Sequence, residues 1–208
     1  MLFRSAAAPS ACVYGRIGTC TQAFGTLSSW LVDVLNTLTG HLDEPGGAMF
    51  PKAAAFGANT SGKPGTGKGV VTGRHAARVS GAPEVYGELP ITCLAEEIET
   101  PGTGQVRALF TVATNPVLSS PNGPRIAKAL ESLDFMVSLD IYLNETTRHA
   151  HVILPPTSLL ERSHYDVALN AFAVRNVAKY APPTFERGPD QRHDWEICLG
   201  LFTRLGLP

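Results

Sequence analysis

The chain has 208 residues, a length that fits one large domain or one domain and part of a second. Its 17 basic and 18 acidic residues give a net charge of -1, which does not favour binding to a nucleic-acid backbone or to a membrane surface. No apolar run approaches the roughly 20 residues that span a bilayer, and residues 1–11 lack the apolar centre of a signal peptide. With 44% hydrophobic residues, the composition predicts a globular protein with an ordinary buried core.

The cysteines lie at positions 12, 20, 93 and 198 and form no C-x-x-C pair. This spacing favours buried thiols over a zinc site or an iron–sulfur cluster. Scattered cysteines are also compatible with a reducing compartment, so we expect a cytoplasmic location.

The beginning of the chain carries signals for a strand, a helix and a turn. Ala11–Tyr14 is a short apolar run that stops at glycine, which predicts a buried strand. Apolar residues then recur every three or four positions from Phe24 to Leu38, which predicts an amphipathic helix that ends at Gly40. The sequence DEPGG at 43–47 favours a turn.

A long stretch without periodicity, from Ala53 to Gly87, predicts an irregular segment. Within it, GKPGTGKG at 62–69 has the spacing of a phosphate-binding P-loop, but Gly69 stands where Ser or Thr would hold magnesium. No buried strand precedes this motif, so a glycine-rich loop is favoured over a phosphotransferase site. Ile91–Glu99 is expected to form a short helix.

From Val106 onward, strand and helix signals alternate. Apolar runs predict strands at Val106–Val112, Phe135–Leu139, His151–Leu154 and Ala171–Val177. Helical spacing predicts helices at Pro124–Leu133 and His193–Leu205, and residues 146–150 favour a short helix or turn. The alternation predicts an α/β fold, with a Rossmann-like parallel sheet and helices on both faces.

Ligands of such sheets bind beyond the carboxyl ends of the strands, which nominates Ala113–Ser119, Asp140–Thr147 and Pro155–Ser158. In the first turn, Asn115 and Pro116 favour a sharp bend, and Ser119 offers a hydroxyl beside helix N–H groups that suit a phosphate. Alternatively, Ser119 only caps the following helix.

Asp140 ends the second predicted strand. A carboxylate there can accept two hydrogen bonds from a guanine edge or a ribose diol, or it can cap a helix or form a surface salt bridge. Thr146 and Thr147 can likewise contact a ligand or cap a helix. The histidines lack an i, i+4 pair with an acid, so a zinc site is not favoured.

Short runs of residues occur in a distinctive order: YGRIG at 14–18, LTGHLDEPGG at 38–47, ATNP at 113–116, LDIYLNET at 139–146, AHVILP at 150–155 and DWEI at 194–197. Together they resemble the molybdopterin oxidoreductase family, which includes formate dehydrogenases, periplasmic nitrate reductases and dimethyl sulfoxide reductase. Where the family usually has Ala-Asp, this chain has Ala150-His151, so an acidic contact is expected to be lost or moved.

The resemblance implies a cofactor of two molybdopterin guanine dinucleotides that hold one molybdenum or tungsten ion. It implies that Asn115, Pro116 and Ser119 line a guanosine-diphosphate pocket that Asp140 and Thr146 complete. The strand-end rule adds Thr114, Ile141 and Pro155 to the cofactor-binding residues. By resemblance, Gly15, Gly18 and Gln22 line the approach to the pterin-pyrophosphate part from another domain. The family's metal-ligand motif is not matched, and no catalytic residue is assigned.

The resemblance also implies an organisation like that of domains 1–3 of formate dehydrogenase and dimethyl sulfoxide reductase. Residues 1–50 would be the C-terminal part of one nucleotide-binding α/β domain, 51–105 an irregular linking segment and 106–208 a second nucleotide-binding α/β domain. We expect an internal part of an oxidoreductase catalytic subunit, inactive alone, whose partner is the rest of that subunit. An iron–sulfur cluster would lie in a preceding part. The alternative is a non-enzymatic nucleotide-binding or scaffold module.

Overall fold

The computed structural model of the chain describes residues 2–50, 54, 72–85, 87–166 and 169–206. It divides into two compact units, the first made of Met1–Phe56 with Val167–Ala178 and the second of Gly57–Asp166 with Lys179–Pro208. The glycine-rich motif at 62–69 lies outside the described residues.

The described elements of the first unit are helical: α1 (Leu2–Ala7), α2 (Ile17–Cys20), α3 (Gly25–Leu38) and a 3-10 helix at Leu169–Phe172. Helix α3 confirms the predicted amphipathic helix. Its apolar face is only partly covered, however, because Leu27 is 50% and Leu38 80% exposed, while Val34 and Leu35 are half-buried. Among the described residues of this unit only Gly25, Asn36 and His41 are buried, so apolar burial contributes little to its stability.

The strand predicted at Ala11–Tyr14 is absent from the described structure, where these residues form no regular element. Val13 instead pairs with a side chain: its N–H donates to Asn36 Oδ1 and its carbonyl accepts from Asn36 Nδ2, both at 2.9 Å. Asn36 is only 2% exposed. A buried amide thus supplies the two hydrogen bonds that a neighbouring strand would have made.

The described part of the second unit begins with an antiparallel hairpin of β1 (Thr72–Ala76) and β2 (Pro83–Val85), so the expectation of an irregular segment is wrong for these residues. The hairpin is held by Glu84, whose side chain is 1% exposed. The Glu84 carboxylate accepts hydrogen bonds from the guanidinium of Arg74 (2.5 Å), from the N–H of Arg74 (3.0 Å) and from the N–H of Gly87. The Arg74 side chain is the largest of the causes that lower the pKa of Glu84 from 4.5 to about 2.

The lowered pKa of Glu84 predicts an acid-sensitive hairpin. A depressed folded-state pKa stabilises the fold fully above pH 4.5, and the stabilisation is lost as the pH falls toward 2. We therefore expect Glu84→Gln to lower the melting temperature at pH 6, and the difference from the parent chain to shrink between pH 4.5 and pH 2. The exposed Glu88→Gln is the control. A melting-temperature difference for Glu84→Gln that does not change over that range would contradict this assignment.

A helix follows the hairpin and is tied to its turn. A 3-10 turn at Ile91–Cys93 leads into α4 (Leu94–Glu99), as predicted. The Glu97 carboxylate accepts from the N–H of Val79 (3.0 Å) and from the side chain of Arg78 (3.2 Å). Because Glu97 is buried, these hydrogen bonds offset the desolvation of its charge.

The centre of the second unit is a three-stranded parallel sheet in the order β3 (Ala108–Val112), β4 (Phe135–Leu139) and β5 (Val152–Ile153). All three strands lie within predicted segments, and the parallel α/β fold is confirmed. Ala108 pairs with Phe135 and Val112 with Leu139, so β3 and β4 end at the same level.

Two helices connect β3 to β4: α5 (Pro116–Ser119) and α6 (Gly123–Leu130). Helices α4 and α6 pack against one face of the sheet and form the main core: Ala95, Ile98, Ile126, Ala129, Leu130, Leu133 and Met136. Side chains alternate between the two faces of a strand. On the opposite face, Leu139 is buried, but four apolar residues stay partly exposed: Phe110 (37%), Val112 (44%), Phe135 (48%) and Val152 (38%).

His151 stands where the resembling family has an acid, and it extends the pairing of β4 with β5. Its N–H donates to the carbonyl of Met136 (2.8 Å), and its ring Nδ1 accepts from the N–H of Met136 (3.0 Å). The ring also lies against Phe135, with centroids 5.4 Å apart. His151 therefore acts as a hydrogen-bond acceptor within the sheet.

This role predicts different effects for two substitutions of His151. His151→Ala leaves the N–H of Met136 unpaired and should lower the free energy of unfolding by about 1 kcal/mol. His151→Asn also removes the ring but retains an acceptor, so it should lose less. Urea denaturation of both variants measures the difference, and equal losses would argue against the ring nitrogen as the stabilising acceptor.

The last elements of the second unit are a short antiparallel pair, β6 (His164–Tyr165) and β7 (Tyr180–Ala181), and helix α7 (Asp194–Arg204), which confirms the predicted closing helix. The strand predicted at Ala171–Val177 is wrong, because these residues contain only the end of a 3-10 helix. None of the helices in the described ranges combines the length and the apolar character needed to cross a bilayer.

Candidate functional site

A crevice of about 330 Å³ opens beyond the carboxyl ends of β3 and β4. The two strands end at the same level, so the loops that follow them meet at one edge of the sheet. The lining residues come from these two loops, from the loop after β5 and from the start of α7: Val112–Asn115, Leu139–Tyr142, Asn144, Pro156, Thr157, Leu159, Arg162 and Asp194.

Ala113 turns the chain at the end of β3. It adopts a φ of 46°, in the left-handed region that residues other than glycine seldom occupy. Its N–H still pairs with the carbonyl of Leu139 at 2.8 Å. Strained backbone of this kind clusters at functional sites, and here it directs Thr114 and Asn115 into the lining of the crevice.

Asn115 and Thr146 join the loop after β3 to the loop after β4. Asn115 Oδ1 accepts from the hydroxyl of Thr146 (2.7 Å), and that hydroxyl accepts from the N–H of Val117 (3.1 Å). Asn115 Nδ2 donates a hydrogen bond to the Glu145 carboxylate (2.8 Å). This hydrogen bond is the largest of the causes that lower the pKa of the Glu145 carboxyl. Thr146 is 0% exposed, so it positions Asn115 from behind the crevice.

Asp140 is held by hydrogen bonds within its own loop. One carboxylate oxygen accepts from the N–H of Tyr142 (3.0 Å) and the other from the amide of Asn144 (3.2 Å). Asn144 Oδ1 accepts in turn from the N–H groups of Thr146 and Thr147, both at 2.9 Å. Each Asp140 oxygen keeps the capacity for a further hydrogen bond, so a ligand in the crevice would meet a fixed acceptor.

The N–H groups at the start of α5, which were expected to suit a phosphate, are used inside the protein. The N–H of Val117 donates to Thr146, and the N–H groups of Leu118 and Ser119 donate to the carbonyl of Asn115 at 3.0 and 2.9 Å. The Ser119 hydroxyl also donates to that carbonyl (2.9 Å). Ser119 thus stabilises its own helical turn.

The third wall of the crevice is the loop after β5, which is pinned to the start of α7. Thr157 is 2% exposed, and its hydroxyl shares a hydrogen bond of 2.7 Å with His193 Nδ1. Arg162 pairs with Asp194 at 2.5 Å. In the same loop, the Glu161 carboxylate accepts a hydrogen bond from the N–H of Ser158, and this bond is the largest of the causes that lower the pKa of the Glu161 carboxyl.

Three charged side chains line the crevice: two carboxylates, Asp140 and Asp194, and the guanidinium of Arg162, which is already paired. A diphosphate brings negative charge, which this lining disfavours. An uncharged group that donates hydrogen bonds, such as a ribose or a guanine edge, suits the same lining.

The crevice contains four of the residues predicted in this unit: Thr114, Asn115, Asp140 and Ile141. Pro116 is buried at the start of α5, and Pro155 is exposed next to the lining residue Pro156. Tyr142 and Asn144 also line the crevice and lie in the nominated segment Asp140–Thr147, although neither was named individually as a site residue. Arg162 and Asp194 were not assigned from the sequence. The DWEI run was a signal for Asp194, because the resemblance had already singled it out.

The first unit has a cavity of its own, of about 460 Å³, lined by Tyr14, Gly15, Ser29, Asp33, Asn36 and neighbouring residues. A Cβ on Gly15 would lie 2.9 Å from Thr19 Oγ1, so a larger residue here would force the Thr19 side chain to move. Gly18 is exposed on α2. The Gln22 amide donates to Ser28 Oγ (3.1 Å) and to the carbonyl of Thr19 (3.3 Å).

The buried hydroxyl of Thr146 predicts a measurable loss of stability. Thr146→Val keeps the shape of the side chain but leaves Asn115 Oδ1 and the N–H of Val117 unpaired, which should lower the free energy of unfolding by about 2 kcal/mol. Thr146→Ser keeps the hydroxyl and should lose less. Urea denaturation measures both, and a Thr146→Val variant as stable as the parent chain would show that the two loops are held in another way.

A parallel sheet with a polar crevice beyond its strand ends is typical of nucleotide-binding α/β proteins. The chain belongs to the molybdopterin oxidoreductase family, whose model matches residues 5–204.

Individual relatives are similar over shorter or more divergent stretches. The chain is 33% identical over 112 residues to the assimilatory nitrate reductase catalytic subunit of Bacillus subtilis, which covers 53% of the chain and 15% of the relative. It is 24% identical over 202 residues to the dimethyl sulfoxide/trimethylamine N-oxide reductase of Rhodobacter capsulatus, and this match covers 88% of the chain and 24% of the relative. It is 30% identical over 105 residues to formate dehydrogenase H of Escherichia coli, and this match covers 50% of the chain and 14% of the relative. The chain thus spans a quarter or less of the length of these relatives.

Proposed function

We propose that the chain is a nucleotide-binding part of the catalytic subunit of a molybdenum- or tungsten-dependent oxidoreductase. The crevice of the second unit would bind the guanosine end of a molybdopterin guanine dinucleotide. The observation that carries this proposal is the convergence of Thr114, Asn115 and Asp140 beyond adjacent parallel strands, in a chain that belongs to the molybdopterin oxidoreductase family.

The residues present fit the nucleoside half of such a cofactor. The Asp140 carboxylate is fixed on both oxygens yet retains acceptor capacity for ribose hydroxyls or base N–H groups. Thr114 is exposed in the crevice and offers a hydroxyl. When bound, the cofactor supplies two-electron redox chemistry through its metal. The chain's own residues bind and orient the nucleotide end.

The proposed partner is the rest of the catalytic subunit. The relatives are at least four times longer than the part that this chain matches. The exposed apolar side chains on α3 and on one face of the sheet support a covering partner, since exposed clusters of Leu, Phe and Val side chains mark interaction surfaces. The chain alone would bind the nucleotide without catalysing the reaction. All four cysteines are free thiols, which supports the cytoplasm as its location.

Calorimetric titration of the 208-residue chain with guanosine diphosphate and adenosine diphosphate tests this function. We expect saturable binding with a preference for the guanosine ligand, and Asp140→Asn should weaken that binding by about tenfold, the loss of one hydrogen bond to a charged group. Asp190→Asn makes the same charge change at an exposed position and serves as the control. Equal affinities for the two nucleotides would favour a non-enzymatic scaffold, and no binding of either would overturn the proposal.

A further inference from the structure

A tight turn joins α5 to α6, and it ends with the dipeptide Asn122-Gly123. Asn122 has a φ of 58° and a ψ of 51°, in the left-handed region that asparagine tolerates better than most residues. A Cβ on Gly123 would lie 2.1 Å from the carbonyl oxygen of Val117, so the close approach of the chain requires glycine there. The backbone of this turn therefore favours asparagine followed by glycine.

An asparagine followed by glycine is chemically labile. The backbone nitrogen of the glycine attacks the side-chain Cγ of the asparagine, a C–N bond forms, and the side-chain amide nitrogen leaves as ammonia. Water then opens the resulting succinimide ring at either carbonyl and gives aspartate or isoaspartate. Glycine favours the attack because it has no side chain to shield its nitrogen.

The conformation of the turn opposes this attack. The succinimide ring can close only when the Gly123 nitrogen and the Asn122 Cβ lie on the same side of the Cα–C bond of Asn122, which requires a strongly negative ψ. The observed ψ of 51° turns that nitrogen nearly to the opposite side of the bond. The carbonyl of Asn122 also accepts from the N–H groups of Arg125 (3.0 Å) and Ile126 (3.2 Å), which fixes the peptide group. The ring can therefore form only after the turn opens.

Once the turn opens, the Asn122 side chain is free to react. Asn122 is exposed, and its side chain forms no capping hydrogen bond with α6. The turn itself is held from α5, because the Val117 carbonyl lies close to Gly123 and the Val117 N–H donates to the buried Thr146 hydroxyl at 3.1 Å. Opening of the turn is thus coupled to the contact between Val117 and Thr146.

We propose that Asn122 is a deamidation site that the folded turn holds closed. The site reacts only when the turn between α5 and α6 opens, and its isoaspartate product carries an extra methylene group in the backbone. That methylene lengthens the chain where Gly123 already lies close to the Val117 carbonyl, so the modified turn cannot close again in the same form. Deamidation would make a transient opening beside the crevice permanent. This inference goes beyond the proposed function and does not depend on nucleotide binding.

The test follows the full chain at neutral pH by mass spectrometry of the tryptic peptide 108–125. This peptide also contains Asn115, an internal control, because the nitrogen of Pro116 has no hydrogen to lose in ring formation. We expect deamidation at Asn122 to be at least about tenfold slower in the folded chain than in the chain unfolded in guanidinium chloride. Asn122→Gly keeps a positive φ without a side-chain amide and should abolish the reaction. A protein isoaspartate methyltransferase detects the isoaspartate product.

The coupling to Val117 is tested by two substitutions of Thr146. Thr146→Val leaves the Val117 N–H unpaired, so it should accelerate deamidation of Asn122 in the folded chain by about tenfold. It should not change the rate in denaturant, because Thr146 is distant from Asn122 along the chain. Thr146→Ser keeps the hydroxyl and is the matched control, and circular dichroism verifies that both variants are folded. If Thr146→Val does not fold, the comparison of the folded and unfolded parent chain decides.

Equal deamidation rates in the folded and the unfolded parent chain would overturn the protective role of the turn. Absence of deamidation at Asn122 in the unfolded chain would overturn the site itself. A folded Thr146→Val variant that reacts at the rate of the parent chain would overturn the coupling to Val117, and a product without isoaspartate would overturn the permanent opening. None of these measurements uses a nucleotide, so their failure is distinct from a failure of the proposed function.

Discussion

The hydroxyl of Thr146 is the contact on which the geometry of the crevice depends. It donates to Asn115 and accepts from the N–H of Val117, so it joins the loop after one strand to the loop after the next. Because Thr146 is fully buried, any arrangement that broke these hydrogen bonds would leave polar groups without partners. The parallel register of β3 and β4 brings the two loops to one edge, and the Thr146 hydroxyl then sets how they meet there.

The charges around the crevice explain how the chain and a cofactor would divide their roles. Two carboxylates and one paired guanidinium favour a ligand that donates hydrogen bonds, which describes a nucleoside better than a diphosphate. The second unit, where the site lies, has a core of its own between α4, α6 and the sheet. The first unit has little buried apolar surface in its described part, which supports the proposal that the chain works as part of a larger catalytic subunit.

The strands and the main helices could be predicted from the sequence because their signals are local. Apolar runs marked β3, β4 and β5, and apolar residues at helical spacing marked α3, α6 and α7. The hairpin of β1 and β2 could not be predicted, since it depends on the pairing of Glu84 with Arg74, ten residues earlier, and has no apolar alternation. The strand predicted at Ala11–Tyr14 was wrong for a related reason. The backbone of Val13 forms its hydrogen bonds with the side chain of Asn36 and not with a neighbouring strand.

The candidate site was predictable in its location but not in the role of each residue. The rule that ligands bind at strand ends selected the loops that contain Thr114, Asn115 and Asp140, and these do line one crevice. The sequence does not show which hydroxyls form hydrogen bonds within the protein, as those of Thr146 and Ser119 do. Arg162 lies in the loop after β5 and Asp194 at the start of α7, far from β3 and β4 along the chain, so only the fold brings them to the crevice.

The proposed binding site for a guanosine nucleotide is formed by the loops after β3 and β4. A nitrogen-15 NMR titration of the whole chain with guanosine diphosphate tests it residue by residue. We expect the largest amide shifts at residues 113–115, 140–144 and 193–195. Largest shifts in the hairpin of β1 and β2, or in the cavity of the first unit with an unchanged crevice, would contradict it.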